Sequence, residues 1–316
     1  MERDRIRRYE QAAELLPPRL RRLALALPDA RKERAEELRL RVGVPLTVRT
    51  DEGELSVAPA DRDALVTAED LERMIAGVTE YSRYASAEAL RQGFLSVRGG
   101  FRLGVCGTAV LRDGAVSSLK DFSGLALRIV CERIGCGADV APRLFDAAGH
   151  LQSALILSPP GAGKTTLLRD LIRCLSLGSA EHRALRVAVI DERSEIAVSY
   201  RGRPQTELGN HTDVLDGCPK ALGIPMVLRA MTPQVVAVDE IATAADIEAI
   251  CAAANCGVAL LATIHASGIE ELRRKPLWRE LLASEVFSRA VVIGCNGGTR
   301  VYTVEAIPCS DGSARD

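Results

Sequence analysis

The segment that most constrains the fold runs from Leu155 to Thr166, where a short apolar strand leads into a glycine-rich turn and then a helix. It reads Leu-Ile-Leu-Ser-Pro-Pro-Gly-Ala-Gly-Lys-Thr-Thr. This order is typical of the phosphate-binding loop G-x-x-x-x-G-K-[ST], in which backbone N–H groups at a helix N-terminus cradle the phosphates of a nucleotide. The sequence therefore predicts a nucleotide site at the end of a buried strand.

One position of the loop departs from the pattern, since Ser158 stands where the first glycine is expected and Pro159 and Pro160 follow it. Lys164 is predicted to reach the terminal phosphates, and Thr165 is predicted to coordinate Mg²⁺. The helical spacing of leucines after the loop supplies the structural context that the motif requires. The predicted nucleotide-binding residues are Ser158, Pro159, Pro160, Gly161, Ala162, Gly163, Lys164, Thr165 and Thr166.

Composition argues against several other classes of protein. The 41 lysines and arginines nearly balance the 42 aspartates and glutamates, so no overall positive field would attract nucleic acid or an acidic membrane. No apolar run approaches the roughly 20 residues that span a bilayer, and the start Met-Glu-Arg-Asp lacks a signal peptide's apolar segment. The nine cysteines are scattered without a C-x-x-C pair, which predicts reduced thiols. We therefore expect a cytosolic protein with no nucleic-acid partner.

Two domains are predicted from the change of pattern along the chain. Residues 1–140 are predicted to form a smaller α+β domain, and residues 141–316 a parallel sheet with helices on both faces. The elements predicted in the first domain are a strand near Leu38, a capped helix from Thr67 to Val78, a helix from Ala85 to Gln92 and a hairpin from Gly93 to Val110. The strands predicted in the second domain are Ala154 to Leu157, Val187 to Ile190, Val235 to Val238, Ala259 to Ile264 and Ala290 to Ile293. The polar segment Ser199 to Asp216 is predicted to be a surface loop over the active site.

Two adjacent carboxylates, Asp239 and Glu240, follow one of these apolar strands directly. Asp239 is predicted to hold magnesium through water, and Glu240 to polarise the water that attacks the phosphate. The alternative is a helix cap, since Thr243 and Asp246 begin a helix shortly afterwards. Two acids at the end of a buried strand are costly unless a cation or a water molecule uses them, which favours catalysis.

Polar residues also follow two other predicted strands. Asp191, Glu192 and Glu195 follow an earlier strand, where they are predicted to join the magnesium shell or to orient water. The alternative for them is a surface turn with a salt bridge. His265 ends a later strand, shortly after Thr263, and a polar residue at that place is predicted to contact the γ-phosphate and report its presence.

The spacing of these segments resembles that of the type II and type IV secretion ATPases and, within that group, the stage III sporulation protein AA family. The resemblance to the secretion ATPases lies in Met231 to Ile241, which ends in Asp-Glu-Ile, and in Ala-Thr-Ile-His-Ala at Ala262 to Ala266. The resemblance to the stage III sporulation protein AA family covers nearly the whole chain. Its further blocks are Glu37 to Leu46, Gly99 to Ala109 and Ile190 to Ile196.

The resemblance implies a RecA-like P-loop ATPase core that binds ATP and Mg²⁺ behind the α+β domain. It implies that Asp191 to Glu195 form the family's acidic box and that His265 belongs to its histidine box. It also implies a homo-oligomeric ring, a hexamer, in which arginines of the first domain complete the site; Arg98, Arg102 and Arg128 are the candidates. The implied role is a motor in the mother-cell cytoplasm, held at the membrane by channel proteins of a sporulation secretion complex.

Other functions remain as alternatives to a hydrolysing motor. A nucleic-acid-binding ATPase is disfavoured by the near-zero net charge and by the short tail from Pro308 to Asp316. A nucleotide-dependent scaffold with little hydrolysis is disfavoured by Asp239 and Glu240. A kinase is disfavoured because nothing after the phosphate loop resembles a lid for an acceptor substrate.

Overall fold

The computed structural model describes residues 2–57, 65–79, 93–112, 114–129, 132–296 and 299–308. The chain divides into two compact units, Met1–Cys131 and Glu132–Asp316. Residues 132–140, which the sequence pattern groups with the first domain, thus lie in the second unit. The reason is local packing: the backbone N–H of Gly137 donates to Asp170 Oδ2 at 2.6 Å, and Val140 is buried in the core of the second unit.

The first unit is a mixed α+β fold built on an antiparallel sheet. Its helices and strands are α1 (Glu2–Ala13), α2 (Pro18–Leu25), α3 (Asp29–Arg34), β1 (Ala35–Arg41), β2 (Thr47–Thr50), β3 (Gly53–Ser56), α4 (Ala68–Thr79), β4 (Phe94–Val97), β5 (Phe101–Arg112) and β6 (Ala115–Arg128). The strand order is β3-β2-β1-β6-β5-β4. Leu38, Leu103 and Leu127 from neighbouring strands lie together in its core.

The elements predicted for this unit match where the structure describes them. β1 contains Leu38, and β4 and β5 form the predicted hairpin. The helix predicted from Thr67 is α4, and Thr67 caps it: its Oγ1 accepts from the Asp70 N–H at 3.2 Å, while Asp70 Oδ2 accepts from the Thr67 N–H at 2.9 Å. The helix predicted from Ala85 to Gln92 lies outside the described residues.

The second unit alternates strands and helices after a short 3-10 turn at Ala141–Leu144. Its elements are β7 (Ala154–Ser158), α5 (Lys164–Leu177), β8 (Val187–Asp191), β9 (Thr212–Asp216), α6 (Lys220–Met231), β10 (Val235–Val238), α7 (Ala244–Asn255), β11 (Ala259–His265), α8 (Ile269–Arg274), α9 (Pro276–Ala283), β12 (Arg289–Asn296) and β13 (Thr299–Ala306). The strand order is β13-β12-β7-β11-β10-β8-β9.

Helices cover both faces of this sheet, as the sequence predicts. The strands from β12 to β9 pair in parallel, and β13 pairs antiparallel with β12. Successive strand residues point to opposite faces, so Leu155 packs in a core with α6 to α9, while Ile156 packs in a second core with α5. All five predicted strands are present, and the α/β fold class is confirmed.

The prediction that Ser199 to Asp216 is entirely loop is wrong at its C-terminal end. Thr212–Asp216 forms β9, which pairs in parallel with β8 at the edge of the sheet. This strand is short and carries Thr, Asp and Asp among its five residues, so it lacks the apolar run of a buried strand. Because β9 lies at the edge of the sheet, it pairs with one neighbouring strand and tolerates polar residues. The hydrophobic pattern of β9 is therefore weak.

No helix in the described part of the chain combines the length and the apolar character needed to cross a membrane.

Candidate active site

The phosphate loop connects β7 to α5 as the motif requires. Gly161 and Gly163 have φ of 76° and 104°, a region that favours glycine because it has no Cβ. Ser158, at the position of the missing first glycine, is the last residue of β7 and pairs with His265 of β11. Its backbone is therefore extended, and its hydroxyl donates to the Pro159 carbonyl at 3.0 Å. The strand conformation explains why a serine fits there.

Lys164 is the first residue of α5 and is only 6% exposed. Its Nζ donates to the carbonyl oxygens of Ser158 at 3.0 Å and Pro159 at 3.2 Å, and it lies 2.7 Å from His265 Nδ1. Burial lowers the pKa of this ammonium group, and the charges of Asp239 and Glu240 oppose that shift. Because an ammonium group only donates, His265 Nδ1 is the acceptor, which leaves the proton of the neutral ring on Nε2.

Asp239, directly after β10, connects the phosphate loop to the central strands. Its Oδ2 accepts from Thr165 Oγ1 at 2.8 Å, and its Oδ1 accepts from Thr263 Oγ1. The Thr263 hydroxyl in turn accepts from the Glu240 N–H at 2.8 Å. Two of the three residues predicted to hold magnesium, Thr165 and Asp239, are therefore in direct contact; the third is Asp191.

Glu240 has a backbone φ of 44°, a left-handed conformation that costs a non-glycine residue about 1 kcal/mol. Its Oε2 accepts from Arg193 Nη1 at 3.0 Å, and its Oε1 lies 3.4 Å from His265 Nε2. Strained backbone of this kind clusters at functional sites, where surrounding contacts hold it in place. Here the N–H bond to Thr263 holds the strained residue, and its carboxylate faces the same cleft as Lys164.

These groups line one open cleft of about 260 Å³. The residues around it are Gly161, Gly163, Lys164, Thr165, Thr166, Glu195, Asp239, Glu240, Thr263 and His265. Residues from β10 and β11 thus meet the phosphate loop although they lie far from it in sequence, because the carboxyl ends of parallel strands share one edge of the sheet.

The acidic segment after β8 places its carboxylates in different surroundings. Asp191 is buried, and its carboxylate accepts from the backbone N–H groups of Glu195 at 2.8 Å, Ile196 at 3.0 Å and Ala197 at 2.8 Å. Burial raises the pKa of Asp191, and these three bonds oppose the rise. Glu192 forms an ion pair with Lys220. Of the predicted acids after β8, the structure brings Glu195 to the cleft.

Arg169, on the buried face of α5, is a residue that the sequence analysis missed. Its Nε donates to the Ile196 carbonyl at 2.8 Å and its Nη2 to the Glu195 carbonyl at 2.7 Å. The side chain is 8% exposed, and burial lowers the pKa of its guanidinium. The available signal was an arginine that directly follows Leu167 and Leu168 on the apolar face of the helix. Arg169 holds the acidic segment against the phosphate-loop helix.

Replacing Arg169 with methionine should destabilise the protein and misplace Glu195. Removing the donor to the Glu195 carbonyl costs about 1–3 kcal/mol if that group stays buried, so the midpoint of thermal unfolding should fall. The turnover number should drop more than the affinity for ATP, and Arg169→Lys should recover part of both losses. Arg279→Met, at an exposed position of α9, is the control. An unchanged unfolding midpoint in Arg169→Met would contradict this role.

The three arginines predicted to complete the site belong to the first unit. Arg98 is exposed in the turn between β4 and β5. Arg102 lies opposite Arg128 on neighbouring strands, and its guanidinium stands 3.5 Å from the centre of the Phe94 ring. The structure therefore brings Arg102 and Arg128 together on one sheet, and their part in the site stays a prediction.

Comparison with known proteins decides the family. The sequence pattern of "Sporulation stage III, protein AA" matches residues 6–307. The chain belongs to this family. Stage III sporulation protein AA of Bacillus subtilis (strain 168) is a similar member, 34% identical over 281 residues that cover 88% of this chain and 89% of that protein. The family predicted from the sequence blocks is thus confirmed.

Two solved structures share the fold of this chain. The pilus retraction motor PilT, solved with ADP, gives a TM-score of 0.58 at 19% identity, covering 88% of this chain and 80% of PilT. The Legionella pneumophila ATPase DotB gives a TM-score of 0.54 at 19% identity, covering 86% of this chain and 76% of DotB. The predicted RecA-like fold is confirmed.

Proposed function

We propose that this protein is an ATP-hydrolysing motor that acts in sporulation. The observation that carries the proposal is the direct hydrogen bond between Thr165 of the phosphate loop and Asp239, beside Glu240 and Lys164 in one cleft. Hydrolysis of a nucleoside triphosphate needs a cradle for the phosphates, a cation site and a carboxylate next to the attacking water. The backbone of the phosphate loop with Lys164 would supply the cradle, Thr165 and Asp239 the cation site, and Glu240 the carboxylate.

The chemistry of the donors fits Mg²⁺. The Thr165 hydroxyl and the Asp239 carboxylate are oxygen ligands, which this ion prefers, and it is usually held by one or two protein groups together with phosphates and water. When bound, Mg²⁺ neutralises charge on the phosphate oxygens. Thr165 and Asp239 are the residues that would hold it.

Glu240 is the proposed general base. Its backbone is fixed by Thr263 and its carboxylate faces the cleft, where it would accept a proton from the attacking water. His265, between Lys164 and Glu240, would release Lys164 to the phosphates and donate its Nε2–H to the γ-phosphate. Such an exchange would give different contacts in the ATP and ADP states, which a motor requires.

The acidic segment takes three different roles in this proposal. Asp191 organises the backbone after β8 through its bonds to three N–H groups, and its place in the magnesium shell stays a prediction. Glu192 is held by its ion pair with Lys220. Glu195, which reaches the cleft, is the second carboxylate that would orient water.

The active form would be a homo-oligomeric ring, with Arg98, Arg102 or Arg128 of the first unit completing the site and offsetting charge on the transferred phosphate. A hexamer is proposed by similarity to the secretion ATPases. Family membership and the secretion ATPase fold support a place in the mother-cell cytoplasm, at the membrane, next to channel proteins of the sporulation complex. No nucleic-acid partner is proposed.

A nucleotide-dependent scaffold with little hydrolysis is the second candidate. The observation that favours it is the ion pair between Arg193 and Glu240, at 3.0 Å, which occupies the proposed base. In a motor, binding of nucleotide or of a partner would have to free this carboxylate. A scaffold would keep it paired.

The experiment that separates the two is steady-state ATPase activity of the purified full chain against protein concentration, with Glu240→Gln to detect contaminating activity. We expect specific activity to rise with concentration and to vanish in the control, because sites completed between subunits exist only in the assembled ring. Constant specific activity would place the complete site within one chain. Activity no higher than the control would favour the scaffold.

A further inference from the structure

Arg300, in the second unit of the chain, lies against the phosphate loop. If Gly163 carried a Cβ, that atom would lie 3.1 Å from both Nε and Cζ of Arg300, and 3.4 Å from its Nη2. Arg300 is on β13, more than a hundred residues along the chain from the loop. Gly163 therefore has two reasons to be glycine, namely its φ of 104° and the guanidinium packed beside it.

The sheet explains how Arg300 reaches this place. β12 runs parallel to β7, with Val292 paired to Leu157, and then continues past the end of β7 to Asn296. β13 returns antiparallel from Thr299, so Arg300 stands at the same edge of the sheet as the phosphate loop. Arg143 secures the strand further along, with contacts of 3.4 Å to the carbonyls of Tyr302 and Val304.

Arg300 is partly buried. Within the described residues no acidic side chain or carbonyl accepts a hydrogen bond from it. A guanidinium carries five N–H donors, and it pairs best with carboxylate or phosphate oxygens. Such a group next to a cradle of backbone N–H donors fits an anionic ligand.

The position of Arg300 selects the part of the nucleotide that it would contact. β7 lies between β11 and β12. Asp239, Glu240 and His265, which would surround the γ-phosphate, come from the β11 side, and Arg300 comes from the β12 side. Resting on the proposed function, we propose that Arg300 binds the α- and β-phosphates of the nucleotide from within the same chain, and so holds ADP and ATP alike.

This role predicts a distinctive pattern of binding and turnover. Contacts made equally to substrate, product and transition state change affinity without changing the rate at saturation. Arg300→Gln should weaken binding of Mg-ADP and Mg-ATP by a similar factor, about 10-fold or more, which is the usual size for a lost hydrogen bond to a charged group. The turnover number at saturating ATP should stay within about twofold. Arg300→Lys should recover part of the affinity.

The test is a titration of the full-length protein with a fluorescent ADP analogue, and with ATP in a Glu240→Gln background. Arg289→Gln is the matched control, because Arg289 begins the same β12–β13 hairpin but pairs with Ala154 at the far end of β7. Thermal unfolding without nucleotide checks that each variant folds. Unchanged ADP affinity in Arg300→Gln, or a loss confined to turnover, would overturn the inference. Failure of the unaltered protein to bind either nucleotide would instead overturn the proposed function on which it rests.

Discussion

Replacing Lys164 with alanine should reduce the affinity for Mg-ATP by more than about 100-fold, because a buried charge-assisted contact to phosphate is lost. Its ammonium group is held over the loop by the Ser158 and Pro159 carbonyls and by His265, where it can turn to a phosphate. Titration with a fluorescent ATP analogue in the presence of Mg²⁺ measures the effect.

The matched control for this variant is Lys220→Ala. Lys220 is as buried as Lys164, at 6% exposed, and its ion pair with Glu192 lies outside the cleft. The control should bind ATP normally once folding is verified by circular dichroism. Undiminished ATP binding by Lys164→Ala would refute the assignment of the phosphate loop.

Glu240→Gln should bind ATP with nearly normal affinity but hydrolyse it about 100- to 10,000-fold more slowly, the range expected when a general base is removed. Glutamine keeps the size of the side chain and can still accept from Arg193, so the cleft should remain intact. The amide cannot take a proton from water at neutral pH. Single-turnover hydrolysis and ATP affinity, measured on the same preparation, separate the chemical step from binding.

Glu280→Gln, an exposed position on α9, controls for handling of this variant and should hydrolyse ATP at the normal rate. If Glu240→Gln were fully active, the base would have to be another carboxylate at the cleft. The structure gives Glu195 that position, so Glu195→Gln would be the next variant. Loss of ATP binding in Glu240→Gln would show that the residue holds the nucleotide rather than activating water.

The strands of the second unit could be predicted because each is a continuous apolar run, buried on both faces. Val235–Val238 is an example, with every residue buried, and such a pattern needs no knowledge of the neighbours. β9 escaped prediction because it lies at the sheet edge, where polar residues are tolerated. Residues 132–140 were grouped with the first domain because their glycines suggest a linker, whereas packing on α5 assigns them to the second unit.

The sequence by itself determined the local features: the strand, turn and helix of the phosphate loop, the glycines at Gly161 and Gly163, and the acids that follow buried strands. These depend on backbone geometry and on burial over a few residues, which neighbouring side chains encode. Only the tertiary structure decided that the Asp191 carboxylate accepts hydrogen bonds from the backbone of residues 195–197, whereas Glu195 reaches the cleft. It also decided which distant side chains meet the loop. The contacts of Arg169 with the acidic segment and of Arg300 with Gly163 join residues far apart in the chain, so they arise from the order of strands in the sheet, and no local pattern specifies that order.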